Sequence, residues 1–360
     1  MLKVERQNEP SQAMVYATPF LAVILTIIAA FFLFIMMDKD PVKAVTLIFF
    51  DPLTNIYGIS ELMVKATPLI LIAMGLSMGF RAGVWNIGAE GQFTMGAVTG
   101  SAVALFFHDV DSGFVLPLMC VAGILGGMAW AAIPAFLRAR FNTNEILVSL
   151  MLVYVATLLL SVLVHGPMRD PEGMNFPESR LFNDSALLPL LMEDGRAHIG
   201  FIIALIVVGC GWVIHSRHVL GFQIRTVGEA EGAANYAGFT KNKLVWVTFM
   251  ISGGLAGLAG LFEVAGPVGQ LVPAIPVGYG FTAIIVAFLG RLNPVGILLG
   301  GLLMALTYIG GESAQISMKL PSATTSVFQG MLLFFLLASD VLVNYRLKWF
   351  AKPAQTVKQG

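Results

Sequence analysis

Several polar side chains that could do chemistry lie inside apolar stretches of this sequence. Asn86 and Glu90 are four residues apart in NIGAEGQFTMG, which separates two hydrophobic runs, and Glu263 lies in GGLAGLAGLFEVAGPVG. A carboxylate in such surroundings can be an active-site acid, line the path of a polar solute, or satisfy backbone donors at a helix start. The elements that position these side chains decide between the three roles.

A second candidate site is a stretch rich in proline and glycine. LVPAIPVGYGFTAIIVAFLG, residues 271–290, places two prolines and two glycines directly before an apolar run. Irregular backbone inside a membrane is tolerated only where protein or a cavity covers it. The stretch from Gly278 to Phe281 is therefore candidate lining for a solute path, in which Tyr279 and Phe281 are available to stack on a flat or sugar-like solute.

Motifs for catalysis and for nucleotide binding are missing from the sequence. It contains no phosphate-cradling GxxxxGK[ST] loop, no HExxH pair and no GxSxG elbow. Its histidines fall at the ends of apolar runs or in loops, where interfacial positions are ordinary. We therefore expect a transport or binding chain rather than an enzyme, with no catalytic residue, no metal site, no cofactor of its own and no nucleic-acid partner.

The composition is that of an integral membrane protein. Of 360 residues, 57% are hydrophobic and 12% are charged, and the mean hydropathy is +0.82, whereas about 25% of the residues in soluble domains are charged. The sequence therefore predicts an all-α, polytopic fold in contact with membrane lipid. Apolar runs of about 20 residues predict ten spans at 16–37, 61–80, 88–107, 114–137, 142–164, 199–215, 244–266, 274–290, 294–311 and 323–343.

The distribution of charge over the connecting segments predicts which ends are cytoplasmic. If the first end lies inside, the inside segments carry Lys and Arg while the outside segments are acidic, as expected for cytoplasmic and external loops. We therefore expect a cytoplasmic segment at 1–15, a transmembrane domain over 16–345 and a basic cytoplasmic tail at 346–360. The span at 274–290 is short and is consistent with either a full span or a broken, re-entrant segment.

The positions of Asn86, Glu90 and Glu263 along their predicted spans favour different roles. Asn86 and Glu90 lie near the predicted cytoplasmic start of a span, which favours a helix-start role in which Glu90 satisfies backbone donors. Glu263 lies about 20 residues into its span, near the outer leaflet. A solute-path role and a buried structural role are equally consistent with that position. We retain all three, with Tyr279 and Phe281, as candidate pathway residues.

The long outside loop, residues 165–198, is rich in proline and acidic residues and has no clear periodicity. Two roles are equally consistent with this composition. The loop is either a solvated connector between spans or a docking surface for a partner outside the membrane.

The long inside loop, residues 216–243, contains a predicted helix. Thr226 and Glu229 form a capping-box pattern at its start, and Gly238 is the usual residue for a left-handed helix end. Four alanines lie on one face: Ala230, Ala233, Ala234 and Ala237. Because lipid-binding helices carry bulky apolar residues, this small-residue face favours docking into a groove of another protein over an ordinary amphipathic surface helix.

Four stretches carry a family resemblance that covers most of residues 60–345. FRAGVWNIGAEGQFTMGA, FNTNEILVSLMLVYVA, RTVGEAEGAANYAGF and GYGFTAIIVAFLGRLNPVGILLGGLL resemble the membrane permeases of bacterial ATP-binding-cassette (ABC) importers. The simple-sugar and nucleoside branch is the most similar, and the ribose and branched-chain amino-acid permeases are related to it. NIGAEGQ is the most specific segment of the resemblance.

The resemblance implies a multi-pass protein of the bacterial inner membrane that imports a nucleoside or simple sugar. Two permease subunits would pair, here as two different paralogues, and each would rest on a cytoplasmic ATPase that binds ATP and Mg. A binding protein or lipoprotein outside the membrane would deliver the solute. The helix from Thr226 to Gly238 would be the coupling helix that sits in the ATPase. From the residues alone, an ion-coupled carrier that works without an ATPase stays open, although Glu263 is its only deep charge.

Overall fold

The computed structural model describes residues 2–6, 12–321 and 323–349. Over these residues the chain forms thirteen α-helices and a two-stranded antiparallel ribbon. The elements are β1 (Leu2–Arg6), α1 (Gln12–Met36), α2 (Pro41–Phe49), α3 (Ile56–Arg81), α4 (Ala89–Phe106), α5 (Val115–Phe141), α6 (Glu145–His165), α7 (Gly200–Arg217), α8 (Val219–Glu229), α9 (Glu231–Tyr236), α10 (Lys241–Glu263), α11 (Tyr279–Leu289), α12 (Pro294–Met318), α13 (Ala323–Asn344) and β2 (Tyr345–Trp349).

A helix lies over each of the ten predicted spans. Seven of them, α1, α3, α5, α6, α7, α10 and α12, are long and apolar enough to cross a membrane. The prediction of a helical, polytopic membrane protein is therefore confirmed, while the number of ten spans and the cytoplasmic position of both ends stay predictions. The sequence did not predict α2 or the pairing of β1 with β2, and this small ribbon is an addition to the expected all-α fold.

The chain divides into two units. The first contains residues 1–47 and 314–360, in which α1 packs along α13 and β1 pairs with β2. The terminal segments predicted at 1–15 and 346–360 lie partly outside the described residues. The second unit, residues 48–313, contains every candidate pathway and coupling residue.

Four helices, α3, α4, α5 and α10, form the centre of the second unit. Most of α3 and α10 is buried, whereas α5, α6 and α7 keep broad apolar faces exposed. Because lipid tails are as apolar as leucine, close packing rather than hydrophobic burial holds such helices together. Gly257 allows α10 and α5 to pack this closely, because a Cβ at that position would overlap the backbone of Gly123 and Gly127 on α5.

The segment predicted at 274–290 is a broken element. The chain leaves α10 through a π turn, Val264–Val268, runs without regular helix from 269 to 278, and starts α11 at Tyr279. With eleven residues, α11 is about 16 Å long, which is well short of the roughly 30 Å of bilayer hydrocarbon. The proline- and glycine-rich sequence accounts for the irregular backbone that precedes it.

The predicted inside helix is two helices rather than one. The first, α8, starts at Val219, seven residues before the predicted start, and Ala230 separates it from α9. The predicted cap at Thr226 is wrong, because its hydroxyl lies within α8 and donates to the Phe222 carbonyl. The predicted end at Gly238 is confirmed by its left-handed backbone, with φ of 82°.

The predicted alanine face is partly buried and partly exposed, because the chain bends between α8 and α9. Ala234 is fully buried against the ends of α3, α5 and α10, whereas Ala230 and Ala233 are exposed. Glu229 is also exposed and pairs with Arg225 on its own helix. Tyr236 on α9, which no sequence pattern indicated, is 97% exposed. The exposed surface around α9 therefore includes small residues that surround Tyr236.

Candidate functional site

Asn86 lies in a buried amide network between α3 and α4. Its Nδ2 donates to Gln92 Oε1 at 2.9 Å and to Ser252 Oγ at 3.0 Å, and Gln92 Nε2 donates back to Asn86 Oδ1 at 3.1 Å. The Gly88 amide also donates to Asn86 Oδ1. Each buried polar atom of Asn86 therefore has a partner, which makes the network a rigid support for the start of α4.

This network lies deep in the helix bundle rather than at its edge. Ser252 is eleven residues beyond Lys241, the first residue of α10, which corresponds to about 16 Å along the helix axis. To reach this level, residues 82–88 fold back without regular helix from the end of α3, and the Val84 amide donates to the Gly79 carbonyl. Both α4 and α11 thus begin after irregular backbone inside the second unit.

Glu90 joins these two helix starts. Its Oε1 accepts from the Gly278 amide at 2.7 Å and its Oε2 from the Gly280 amide at 2.5 Å. The first amides of a helix lack intrahelical partners and carry the positive end of the helix dipole, so a carboxylate is stabilised there. The expected helix-start role of Glu90 is present, but the carboxylate caps α11 rather than its own helix. A Cβ on Gly280 would overlap the backbone of Glu90, so the two helix starts touch.

Tyr279, the first residue of α11, is fully buried. Its ring lies edge-on to Phe93 and Tyr308, with centroid separations of 5.9 and 5.7 Å, and Lys65 Nζ lies 5.8 Å from its centroid. The Tyr279 hydroxyl is buried next to the Glu263 carboxylate, which interacts with it, although no contact of full hydrogen-bond geometry joins the two within the described part of the chain. A buried hydroxyl that is held so loosely is available to a polar group that enters the site.

Glu263 ends α10 beside this tyrosine. It is buried, and the groups that act electrostatically on it are Lys65, Tyr279, Arg196 and Glu90. A buried carboxylate is retained at such a position where a cation or a polar ligand compensates its lost hydration. Lys65 on α3 supplies one such cation, and its ammonium is also 3.8 Å from Glu312.

A cavity of about 400 Å³ lies against the helix break, and its size is within the range of small-molecule sites. Glu90 and Phe281 line it, and Phe281 is 40% exposed. The other lining residues are Val153, Tyr154, Thr157 and Leu158 of α6, and Pro276 and Gly278. The arrangement, an apolar and aromatic wall with one carboxylate at the helix start, can hold a flat or ring-shaped solute that bears hydroxyls.

The outside loop runs over this break. The Phe182 amide donates to the Gly269 carbonyl at 2.9 Å, and the Leu188 amide donates to the Ala265 carbonyl at 2.9 Å. Ser179 exchanges hydrogen bonds with Leu271. The loop is therefore attached to the connection between α10 and α11, and a change in one can be transmitted to the other.

Two residues near the end of this loop fix it to the helices. Arg196 makes two hydrogen bonds to the Glu61 carboxylate, at 2.8 and 2.6 Å, which raises the pKa of the guanidinium above its usual range. His198 is buried beside Phe262, and its Nδ1 accepts from the Gly200 amide. Burial lowers the pKa of His198 to about 4, so the imidazole is neutral at pH 7.

Three aromatic rings lie at the far end of α11. Phe288 stacks on Phe80 and on Trp85, with centroid separations of 5.2 and 5.8 Å. These rings lie near the end of α3, at the opposite end of α11 from Glu90.

The structure thus brings four of the five candidate pathway residues to one region. Glu90, Glu263, Tyr279 and Phe281 surround the start of α11, whereas Asn86 supports that region from one turn below. Lys65 was missed, although a lysine inside an apolar run was a usable signal. Ser252 and the loop residue Arg196 gave no comparable signal in the sequence.

The sequence of this chain is similar to those of known membrane transport proteins. Residues 58–337 match the family described as the permease component of the branched-chain amino acid transport system. The glucose ABC transporter permease protein TsgB13 of Haloferax volcanii is 36% identical, over 96% of this chain and 94% of that protein. No solved structure is significantly similar to the chain.

Two further relatives are less similar. The putative glucose ABC transporter permease protein TsgC13 of the same organism is 31% identical, over 67% of this chain and 72% of that protein. The guanosine ABC transporter permease protein NupP of Bacillus subtilis is 29% identical, over 89% of this chain and 92% of that protein.

Proposed function

Since the chain belongs to the family of permease components of branched-chain amino acid transport systems, we propose that it forms the membrane pathway of an ABC importer for a nucleoside or simple sugar. It is a multi-pass protein of the cell (inner) membrane and a permease subunit. The relatives named for glucose and for guanosine support this solute class, because both solutes carry a hydroxylated sugar ring.

The meeting of two helix starts at Glu90 is the observation that carries the proposal. Discontinuous helices inside a membrane expose backbone and dipole ends that bind polar solutes. Here the break is flanked by a cavity, a buried carboxylate at Glu263 and the buried hydroxyl of Tyr279 beside that carboxylate. Carboxylate and phenol oxygens suit the hydroxyls of a sugar, and Phe281 suits the face of a sugar or base.

The solute path runs past these residues and then along α11. It begins under the outside loop near Glu263, passes the cavity beside Phe281, and leaves where Phe288, Phe80 and Trp85 are stacked. Movement of α11 relative to α3 would separate these rings and open the inner end of the path.

We infer the finer topology from the charge distribution. All ten predicted spans cross the membrane, the eighth as irregular backbone followed by the short α11, and both ends face the cytoplasm, which puts residues 165–198 outside and 216–243 inside. The transmembrane domain then comprises residues 16–345. Modification of single cysteines placed at Met174 and at Tyr236, two strongly exposed positions, tests this arrangement with a reagent that does not cross the membrane: Met174→Cys reacts from outside and Tyr236→Cys does not.

The surface around α9 is the proposed docking site for a separate ATPase, which binds ATP and Mg. Its small exposed residues, Ala230 and Ala233, and the exposed Tyr236 suit insertion into a groove. Buried Ala234 and the left-handed Gly238 hold α9 against the ends of the spans. Thr226 and Glu229 belong to α8 and position α9 rather than face the partner directly.

A second permease and an outer solute-binding protein complete the proposed assembly. One organism carries both TsgB13 and TsgC13, and the chain resembles the first over nearly its whole length and the second over two thirds. That difference supports a heterodimer in which this chain is the TsgB13-like member. The exposed apolar face of α6 is available to the second permease.

Uptake by reconstituted proteoliposomes tests the function. With the ATPase, the second permease and the binding protein present, we expect ATP-dependent uptake of guanosine or glucose, and none without the ATPase. The variant Ala233→Glu should fold normally but lose ATP-dependent uptake because the ATPase no longer docks, whereas Lys243→Ala, at another exposed inside position, should transport normally. Uptake by this chain alone, driven by an ion gradient, would establish the carrier alternative and overturn the proposal.

A further inference from the structure

A cluster of three basic residues lies at the ends of α3 and α7. Arg81 is the last residue of α3, His215 is in the last turn of α7, and Arg225 is on α8. Arg81 is close enough to Arg225 and to the His215 ring for its charge to act on both. We call these three residues the basic cluster.

Backbone contacts hold the basic cluster together. Gly221 packs on the backbone of Ile214 and His215, and Gly228 packs on the backbone of Arg81. Gly221, Arg225 and Gly228 follow helical spacing along one face of α8. Arg225 therefore lies between the two points at which α8 touches α7 and α3.

The charges of the basic cluster are only partly compensated. Arg225 pairs with Glu229 at 2.8 Å. Across the described ranges, no carboxylate forms an ion pair with Arg81, and both ring nitrogens of His215 are buried without a hydrogen-bond partner. A partly buried guanidinium next to another guanidinium is unfavourable unless an anion joins them.

The surroundings of the basic cluster indicate where that anion comes from. Trp212 and Val213 on α7 and Val219 and Phe222 on α8 are all exposed, and they extend from the end of a span onto the adjoining helix. Bulky apolar residues at such a junction favour the membrane interface over an acidic protein groove. The cytoplasmic leaflet is the anionic one.

We propose that Arg81, His215 and Arg225 bind the phosphate of an anionic phospholipid at the cytoplasmic surface of the membrane. The side of the membrane rests on the proposed topology. Guanidinium groups bind phosphate oxygens in pairs, and the acyl chains would lie along Trp212 and Phe222. Because α8 leads directly into α9, the lipid would hold the proposed ATPase docking helix in place.

Binding of defined lipids to the full-length chain in detergent tests this proposal. Native mass spectrometry gives the affinities for dioleoyl phosphatidylglycerol and dioleoyl phosphatidylcholine. We expect tighter binding of phosphatidylglycerol, weakened about fivefold in Arg225→Gln and again in Arg81→Gln. Phosphatidylcholine binding should not change. Arg140→Gln, at an exposed arginine near the end of α5, is the matched control.

Each result decides for or against the lipid site. Arg225 is exposed, so its variant decides the matter even if Arg81→Gln does not fold. Displacement of phosphatidylglycerol by inorganic phosphate supports recognition of the headgroup phosphate. Equal binding of both lipids, equal loss in Arg140→Gln, or phosphate binding without lipid binding would overturn the proposal. So would loss of the lipid preference in the complex with the ATPase, because the ATPase would then be the occupant.

Discussion

Glu90 on α4 holds the start of α11 through Gly280, which is 190 residues further along the chain. Its Oε2 accepts from the Gly280 amide at 2.5 Å, and its Oε1 accepts from the Gly278 amide at 2.7 Å. One carboxylate thus caps a short helix whose start is buried, and the same side chain lines the adjoining cavity. Glu90 therefore supports a helix start and also lies at the surface of the cavity in which we propose that the solute binds.

Loss of the charge at Glu90 should weaken the start of α11. Glu90→Gln keeps an acceptor for one of the two amides but removes the favourable interaction of a negative charge with the helix dipole. We expect a loss of about 2 kcal/mol in local stability, measured as a lower melting temperature in detergent and a lower folded yield. Glu193→Gln, at an exposed loop carboxylate, should leave both unchanged. An unaltered melting temperature together with abolished uptake would identify Glu90 as a solute ligand that contributes nothing to the fold.

The hydroxyl of Tyr279 should matter for transport but not for folding. Because this buried hydroxyl interacts with the Glu263 carboxylate without full hydrogen-bond geometry within the described residues, its removal in Tyr279→Phe costs the fold little. We expect unchanged thermal stability and about fivefold weaker apparent affinity for the solute, which is the value of one neutral hydrogen bond. The apparent KM of ATP-driven uptake measures this effect. Tyr57→Phe, at an exposed tyrosine, serves as the control, and an identical KM in Tyr279→Phe would remove this residue from the path.

Acid should loosen the loop at residues 165–198, which lies over the helix break. Burial lowers the pKa of His198 to about 4 from 6.5, so the unfolded loop binds the proton more tightly than the folded one. Stability is therefore full above about pH 6.5 and falls as the pH drops towards 4. At pH 5 the free energy of unfolding of the loop is therefore about 2 kcal/mol lower than at pH 7.5.

Limited proteolysis of residues 166–199 across this pH range measures the loosening. Wild-type protein should be cleaved faster at pH 5 than at pH 7.5 by a protease whose own activity is matched at the two values. His198→Gln should reduce the difference, and His165→Gln, at an exposed histidine, should preserve it. A wild-type loop cleaved equally at both pH values would refute this role for His198.

Hydropathy and charge predicted the helices because both are properties of local sequence. Each of the ten predicted spans coincides with a helix, and at 274–290, where the sequence was consistent with either a full span or a broken segment, the structure has a broken one. The cap at Thr226 failed for a local reason: His218 already caps α8, with its ring nitrogen accepting from the Leu220 amide. Patterns such as Thr226 followed by Glu229 also occur inside helices. The sequence alone therefore did not show that the helix starts earlier, at Val219.

The organisation of the site depends on long-range contacts that local sequence does not encode. Glu90 was recognisable as a residue suited to a helix start, but the helix that it caps is formed by residues far along the chain. The attachment of Arg196 to Glu61 is similarly remote in sequence. Lys65 is the exception, because an apolar run containing a single lysine already points to a compensating carboxylate.

The most direct test of the pathway is accessibility at Phe281, which lines the cavity. In a background with Cys120→Ala and Cys210→Ala, Phe281→Cys is treated from outside with a small charged thiol reagent, in the reconstituted complex. We predict that the thiol is modified, that guanosine or glucose slows the modification, and that modified protein no longer transports. Leu125→Cys, on the exposed apolar face of α5, should not react. A Phe281→Cys thiol that stays unmodified, or that reacts equally with and without solute while uptake continues, would contradict the account.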